Sequence, residues 1–409
     1  MVDALAVWLY GDRVATIDRH RGRPRLIYTE DALGRYALGT PLLSLSLPVS
    51  ERRYPQGIVR AFIDGLLPEG EARKSIARDF GLRADDTYGL IRELGRDCAG
   101  AVVIQPVGEP APAAPTTATA EALTPDDVGA LVSNLRSAPL GASGRVRISL
   151  AGVQEKLLLT RMPDGKWGRP VDGTPSTHIL KPEIATYPKT VENEAFCMRL
   201  ARSLGLAAAA VETAEVANRR LIVVERFDRA VSPTGAVERI HQEDLCQAKG
   251  VPPDIKYEED GGPSLKRVAG ILQSVAAADS LERLLQAVTL NALIGNGDAH
   301  AKNFSLLHHK SGALTMAPLY DLMCTLHYGD KRLAMYIDAV QRTDRVTAGR
   351  ITNEAVSWGI SRPRALSTIN DILERAPAAM SATREQTPDL PDELYATVQA
   401  QLAQLCSQR

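Results

Sequence analysis

Apolar and polar positions alternate with period two over residues 4–30 (ALAVWLYGDRVATIDRHRGRPRLIYTE), interrupted at Gly11-Asp12 and Gly22-Arg23-Pro24. That pattern predicts a small antiparallel meander. Residues 41–48 (PLLSLSLP) predict one more short strand, after which the period lengthens. Ile58, Phe62, Ile63, Leu66 and Leu67 recur at helical spacing, and residues 71–80 and 88–94 supply two further helices. Ala101-Val-Val-Ile104 closes this stretch as a strand, so residues 1–105 form an α+β module of domain size. Residues 106–125 (PVGEPAPAAPTTATAEALTP) are rich in Pro, Ala and Thr and nearly free of large apolar side chains, which reads as a linker.

Beyond the linker, Pro125-Asp126-Asp127 opens a short helix, its carboxylates placed where the helix dipole favours them. Arg147-Ile-Ser-Leu-Ala-Gly-Val-Gln-Glu-Lys156 joins two extended segments through Gly152 and matches neither glycine template for phosphate binding. Its residues alone favour a β-hairpin with Lys156 facing solvent. His178-Ile-Leu-Lys181 is a short strand, and residues 191–205 predict a helix with Phe196, Leu200 and Leu204 on one face and Gly205 at its end. Residues 221–228 read as a buried strand leaving toward a polar linker. From His241 the pattern is mainly helical, broken at 250–254 and at the acidic, Gly-rich 257–263, with a helix over 281–294, a strand over 304–308 and a hairpin-like 306–318. Helical periodicity continues after about residue 345.

The 409 residues suffice for two or three packed units. With 44% hydrophobic and 24% charged residues the composition is that of an ordinary globular protein, and a net charge of −1 excludes a broad nucleic-acid footprint. Cys98, Cys197, Cys246, Cys324 and Cys406 are widely spaced, which predicts buried thiols in a reducing compartment rather than a disulfide framework or a zinc site. The first ten residues carry no basic lead, and no apolar run approaches a membrane span, so a cytoplasmic location without membrane partners is expected.

Candidate chemistry centres on Gly295-Asn-Gly-Asp298-Ala-His-Ala-Lys-Asn303-Phe304, between the helix and the strand. An Asp and an Asn five residues apart on such a loop match the phosphoryl-transfer pattern in which Asp orients a hydroxyl and Asn holds metal, and Asp321 follows where a second metal carboxylate is needed. Taken singly, Asn296 and Asp298 read as turn formers. Upstream, a strand lysine (Lys181) and a helix glutamate (Glu194) stand in the order of a lysine on the α/β-phosphates and the glutamate that pairs with it.

In that order the residues also resemble the HipA-type serine/threonine protein kinases, the toxins of HipBA-like toxin and antitoxin pairs. The resemblance rests on Ile148-Ser-Leu-Ala-Gly-Val-Gln-Glu-Lys156, Thr177-His-Ile-Leu-Lys181, Asn193-Glu194, Val224-Glu-Arg-Phe-Asp-Arg229, Gln242-Glu-Asp-Leu-Cys-Gln247, Lys256-Tyr-Glu258, Asp260-Gly-Gly-Pro263, Gly295 through Phe304, and Pro318 through Asp321. Gly65-Leu-Leu-Pro-Glu69 and Gly95-Arg-Asp-Cys-Ala-Gly-Ala101 extend it to the N-terminal module. It implies an α+β, two-lobed, protein-kinase-like fold: an N-terminal subdomain over 1–105, the linker, an N-lobe over 126–230 and a helical C-lobe over 231–409.

The resemblance further implies ATP- and Mg2+-dependent phosphorylation of a protein hydroxyl. Asp298 would be catalytic, and Asn303 and Asp321 would be metal ligands. Lys181 would contact the phosphates with Glu194 beside it, Glu225 and Phe227 would meet adenine through their backbones, and Ala151, Gly152, Val153 and Gln154 would cover the phosphates. Ser149 occupies the family's inhibitory autophosphorylation position, near Arg145 and Arg147. The implied substrate class is aminoacyl-tRNA synthetases. The implied partner is a HipB-like helix-turn-helix antitoxin through which DNA is met indirectly. Asp321 is followed by Leu322-Met323, so the D-F-G signature of ordinary protein kinases is absent. A small-molecule kinase of similar core and a non-catalytic co-repressor scaffold are the alternatives.

Overall fold

The computed structural model describes residues 4–20, 22–112, 119–135, 138–140, 146–152, 154–275 and 277–407. The chain forms two compact units, Met1–Pro182 with Glu215–Asp254, and Glu183–Ala214 with Ile255–Arg409.

In the first unit the expected meander forms a four-stranded antiparallel sheet in the order Arg23–Tyr28, Asp12–His20, Ala4–Leu9, Val102–Pro106. Leu5 faces Ile17 and Val7 faces Ile104 in register, and period-two burial places Leu5, Val7, Leu9, Ile17, Leu26 and Tyr28 in one core. The helix Gln56–Leu66 buries Val59, Phe62, Ile63 and Leu66 on its apolar stripe, and Thr87–Leu94 buries Tyr88, Ile91 and Leu94. Each such side chain stabilises by about 1.5–3 kcal/mol on transfer from water.

A second sheet of the same unit runs Glu121–Ala122, Trp167–Arg169, Leu157–Arg161, His178–Pro182, Arg219–Glu225. Its register sets Lys181 opposite Ile222 and His178 opposite Glu225. The helix Pro125–Ser133 starts at Thr124, which forms a capping box with Asp127.

Two expectations fail in this unit. Residues 41–48 make only an isolated bridge between Ser44 and Leu47. Their polar positions are used by specific partners rather than by a ladder: Ser44 Oγ donates to Glu243 Oε2 at 2.5 Å and Ser46 Oγ to the Gln247 carbonyl at 2.7 Å. Lys156 does not face solvent at a hairpin tip. It is 7% exposed, and its ammonium donates to the Ala151 carbonyl at 2.8 Å, curling back over the segment that precedes it.

The second unit is mostly helical: Thr190–Ser203, Leu265–Val275, Ser280–Leu293, Ala348–Ser357, Arg362–Glu385 and Asp392–Ser407. Ser280–Leu293 is its centre, burying Leu284, Leu285, Val288, Leu290 and Leu293. The expected hairpin is the pair Ser305–His308 and Leu314–Met316. A second hairpin, Arg332–Ile337 with Val340–Arg342, was not visible in the sequence pattern. Its turn is made by Asp338 and Ala339, both at positive φ (48° and 64°), in place of the Asn-Gly or Asp-Gly pair that usually announces such a turn. Among the described residues no helix is long and apolar enough to cross a membrane. All five cysteines are free thiols, four of them buried.

Candidate active site

The second unit brings Asp298, Asn303 and Asp321 together. The helix Ser280–Leu293 ends at Gly295, whose φ of +67° turns the chain into the loop. Asn296 is buried and fixed from both sides: its amide donates to Asn291 Oδ1 at 2.8 Å, and its Oδ1 accepts from the Asp298 N–H at 3.1 Å. Gly297 N–H donates to Thr325 Oγ1 at 2.7 Å, and its carbonyl accepts from Ala334 N–H at 2.7 Å. A Cβ at Gly297 would lie 2.2 Å from the Arg332 carbonyl, so only glycine fits there. The turn-forming reading of Asn296 is therefore correct, and the turn it forms aims Asp298 outward.

A 3₁₀ turn, Ala301–Asn303, follows. Asn303 Oδ1 accepts from His300 N–H at 3.2 Å, and its amide donates to Asp321 Oδ2 at 2.9 Å. Asp321 is held by its neighbours: Leu319 is bridged to Ala207 and Ala209, and the Tyr320 hydroxyl donates to the Lys302 carbonyl at 2.5 Å. Asp321 itself sits at φ +58°, a left-handed conformation costing roughly 1–2 kcal/mol for a residue with a Cβ. Such local strain at a candidate site is the kind that surrounding structure must enforce. Three residues on, the buried Asn193 does so. Its Oδ1 accepts from Cys324 N–H at 2.8 Å and its amide donates to the Cys324 carbonyl at 3.1 Å. The sequence pattern gave Asn193 no role of its own.

The Asp298 side chain is exposed to solvent, with its carboxylate backed by neighbouring protein groups. Burial pushes its pKa up to about 6; the hydrogen bond from the Tyr257 hydroxyl opposes this, the Asp321 charge adds to it, and Lys256 and Asp330 contribute in opposite senses. A carboxylate held toward neutrality beside the Asn303–Asp321 pair makes Asp298 a candidate for site chemistry. His300 packs edge-on against Tyr257, 5.4 Å between ring centres, as a structural residue of the loop.

Asp321 and Asn303 together offer a carboxylate and an amide carbonyl, hard oxygen donors that suit magnesium, which takes one or two protein oxygens plus substrate phosphates and water. The Asn303 carbonyl keeps a lone pair beyond its bond to His300, so the donor set suits such an ion. Among the described residues no group of three or more His, Cys, Asp or Glu forms an all-protein metal cage.

Glu194 also belongs to the second unit, on Thr190–Ser203, and is 1% exposed. Lys181 lies in the first unit on His178–Pro182 and is 8% exposed. Neither is the solvated strand-end or helix-face charge that base expectation favours, and buried charges of this kind need partners.

The remaining predicted residues lie in the first unit. The Ala151 carbonyl carries the Lys156 ammonium, Gly152 adopts φ +114°, and Gln154 donates weakly to the Pro182 carbonyl at 3.4 Å. Val153 and Arg145 lie outside the described residues. The Gly65-to-Glu69 motif cradles this segment: Leu66 O accepts from Ser149 Oγ at 2.6 Å, and Glu69 N–H donates to Gly152 O at 3.3 Å. Ser149 is 0% exposed, and its N–H donates to the Asp97 carbonyl at 2.9 Å. Arg147 is paired with Glu93 and stacks over Phe80.

Glu225 is exposed and Phe227 half-buried, while the residues between and after them point inward. Arg226 donates to both Asp228 oxygens at 3.0 and 2.8 Å and to Ser176 Oγ at 2.7 Å. Arg229 donates to Asp97 Oδ1 at 2.9 Å, Ser176 Oγ to Asp97 Oδ2 at 2.7 Å, and Gly100 N–H to Asp228 Oδ2 at 2.7 Å. Burial would raise the Asp97 carboxyl, but Arg229, Arg226 and Arg239 outweigh it and hold it below its ordinary value; on Asp228, Arg226 and Arg229 do the same and hold it far below. This buried network fixes the backbone of 225–227, and the sequence pattern did not reveal it.

Comparison with known proteins came out as follows. The HipA-like C-terminal domain family matches residues 148–380, and the HipA N-terminal domain family matches residues 5–105. The chain is 39% identical over 95% of its length, and 94% of the other's, to a Sinorhizobium fredii protein named "Putative kinase Y4mE". It is 31% identical to the serine/threonine-protein kinase toxin HipA of Shewanella oneidensis, covering 82% of this chain and 79% of that one. Among solved structures it is similar to the Shewanella oneidensis toxin-antitoxin complex of HipA, HipB and operator DNA, with a TM-score of 0.83 and 27% identity over 98% of this chain and 96% of that one.

Proposed function

Because the chain belongs to the HipA family of kinase toxins, we propose that it is an ATP- and magnesium-dependent serine/threonine protein kinase whose substrate is a translation protein, an aminoacyl-tRNA synthetase. Its fold is the kinase-like fold of that family. The observation that carries the reading is the joining of Asn303 to Asp321 at 2.9 Å on a loop that also presents Asp298.

The chemistry follows from those placements. Asp298 accepts the hydrogen bond of an incoming hydroxyl and takes its proton as the oxygen attacks. Asn303 and Asp321 would hold the metal. Bound magnesium supplies neutralisation of charge on the transferring phosphoryl group and its leaving oxygen. Lys181 would contact the phosphates, and Glu194 is the helix glutamate of the same motif order. Ala151, Gly152, Val153 and Gln154 cover them, and Glu225 and Phe227 offer backbone groups to adenine. Little covalent work is asked of the protein, so positioning and charge account for the rate.

A pH dependence follows. Asp298 must be ionised to accept a proton and takes one up near 6 in the free protein. The kcat/KM should therefore fall about tenfold per pH unit on the acid side of that value and level off above it. A rate profile over about pH 5 to 8 checks this, and a flat acid limb would remove Asp298 as the base.

Ser149 is the proposed autophosphorylation site. Its hydroxyl is enclosed, so the segment must leave Leu66 before phosphate can be added, and a group of about −1.5 to −2 charge could not return to that pocket. Mass spectrometry after incubation with ATP should find phosphoserine at 149. An unmodified Ser149 in an active kinase would end this part of the reading.

The Shewanella relative is described with HipB and operator DNA; by analogy a helix-turn-helix antitoxin binds this chain in the cytoplasm and bridges it to DNA. Induced expression with phosphoproteomics, comparing the unaltered chain with Asp321→Ala, tests the function. New phosphosites on a synthetase together with growth arrest are expected only with the unaltered chain. Arrest by both chains would favour the non-catalytic scaffold, and label confined to small molecules would favour a small-molecule kinase.

A further inference from the structure

The Tyr257 hydroxyl donates to Asp298 Oδ1 at 2.9 Å. Lys256-Tyr-Glu258 is among the motifs that carry the family resemblance, but the sequence reading gave Tyr257 no role in the site. The stretch is nevertheless built. Asp260 and Gly262 N–H groups both donate to the Tyr257 carbonyl, at 3.1 and 2.9 Å. Gly262 lies so close that a Cβ there would sit 2.4 Å from the Ile255 carbonyl and 2.6 Å from that of Tyr257. The loop is thus wound tightly around the one backbone carbonyl of Tyr257.

It is also registered to the catalytic loop through a shared strand. Glu258 Oε2 accepts from Tyr336 N–H at 2.8 Å, and two residues earlier on that strand Ala334 N–H donates to the Gly297 carbonyl at 2.7 Å. Arg332–Ile337 therefore sets the spacing between Tyr257 and Asp298 through two of its backbone N–H groups, one held by the Glu258 carboxylate and one by the Gly297 carbonyl. The Tyr257 ring is steadied edge-on by His300, and the Lys256 ammonium lies 5.6 Å over its face. A hydroxyl placed by this much fixed structure is not a chance surface contact.

We infer that Tyr257 is the positioning residue of the acceptor site: by holding Oδ1 of Asp298 it fixes the carboxylate plane and turns Oδ2 toward the incoming hydroxyl. A carboxylate on a single χ2 axis rotates with little resistance, so a donor on one oxygen determines where the other points. The inference rests on the kinase reading above. It assigns Tyr257 no contact with ATP or with phosphate, and its effect is confined to the step in which Asp298 takes part.

The test is a double-mutant cycle on the full chain with magnesium, ATP and a protein acceptor. Tyr257→Phe keeps the ring against His300 and removes only the donor. It should lower kcat by about 10- to 100-fold, the range of one hydrogen bond to a charged group, with KM for ATP and the thermal midpoint essentially unchanged. On the Asp298→Asn background the same substitution should change kcat by less than about twofold, because the group through which it acts is already altered. An equal loss on both backgrounds would overturn the inference, as would a higher kcat/KM for the acceptor in Tyr257→Phe, which would make the hydroxyl a plug in the acceptor's place. Absence of transfer by the unaltered chain would instead overturn the kinase reading, a result no Tyr257 variant can imitate.

Discussion

Asp298→Asn is expected to lose about 10²–10⁴ of kcat, the contribution of a positioned general base, while its affinity for ATP stays within a few-fold of the unaltered chain. The substitution is close to isosteric. The loop does not depend on the carboxylate for its shape: Gly295 turns it, Asn296 caps it through Asn291 and the Asp298 backbone N–H, and Gly297 ties it to Thr325 and Ala334. Asn303 and Asp321 reach each other without Asp298, so the metal pair survives. What disappears is the group that receives the proton. Steady-state kinetics with calorimetric titration of ATP separates the two effects, because a residue acting only in the transition state lowers kcat without weakening ground-state binding. A variant with normal kcat and weakened ATP binding would place Asp298 among the nucleotide ligands instead.

Asp97→Ala should destabilise the protein by about 3–5 kcal/mol, the cost of breaking a buried ion pair from one side. Asp97 pairs with Arg226, Arg229 and Arg239, and it accepts from Ser176 as well. Removing it leaves Arg226 and Arg229 to share Asp228 and takes the paired carboxylate from Arg239, in a region closed to water. Urea unfolding monitored by fluorescence gives the change in midpoint. A loss below about 1 kcal/mol would mean that water or backbone carbonyls replace the carboxylate. Because Arg226 and Asp228 alternate with the exposed Glu225 and half-buried Phe227, the same variant should also weaken ATP binding by loosening the backbone proposed to meet adenine.

The parts of the molecule visible in the sequence are those whose cause is local. Period-two burial of Leu5, Val7 and Leu9 and the helical stripe of Phe62, Ile63 and Leu66 follow from side-chain type alone, although Val59 rather than Ile58 completes that stripe. Gly295, Asn296 and Gly297 announce the loop because each satisfies a backbone requirement that few residues can meet. Lys181 and Glu194 were weak signals singly, and it is their burial that sets them apart from solvated charges.

What was not legible depends on partners distant in the chain. Residues 41–48 alternate like a strand, yet Ser44 and Ser46 are polar because Glu243 and Gln247 lie against them. Asp97, Arg226, Asp228, Arg229 and Arg239 look like surface charges until all five are found in one buried cluster. The hairpin Arg332–Ile337 with Val340–Arg342 was hidden by a turn of Asp338 and Ala339 that tolerates positive φ without glycine. Since that strand registers Tyr257 to the catalytic loop, missing it also meant missing Tyr257.

The central claim is that Asp298, Asn303 and Asp321 form a phosphotransfer centre that acts on a protein hydroxyl. It is tested most directly by incubating the purified chain with γ-labelled ATP, with and without magnesium, in a lysate freed of nucleotides, followed by phosphoamino-acid analysis. Label on serine or threonine of protein, dependent on magnesium and absent with Asp321→Ala, is the predicted result. ATP left unconsumed by a folded chain, or label entering protein equally with Asp321→Ala, would contradict it.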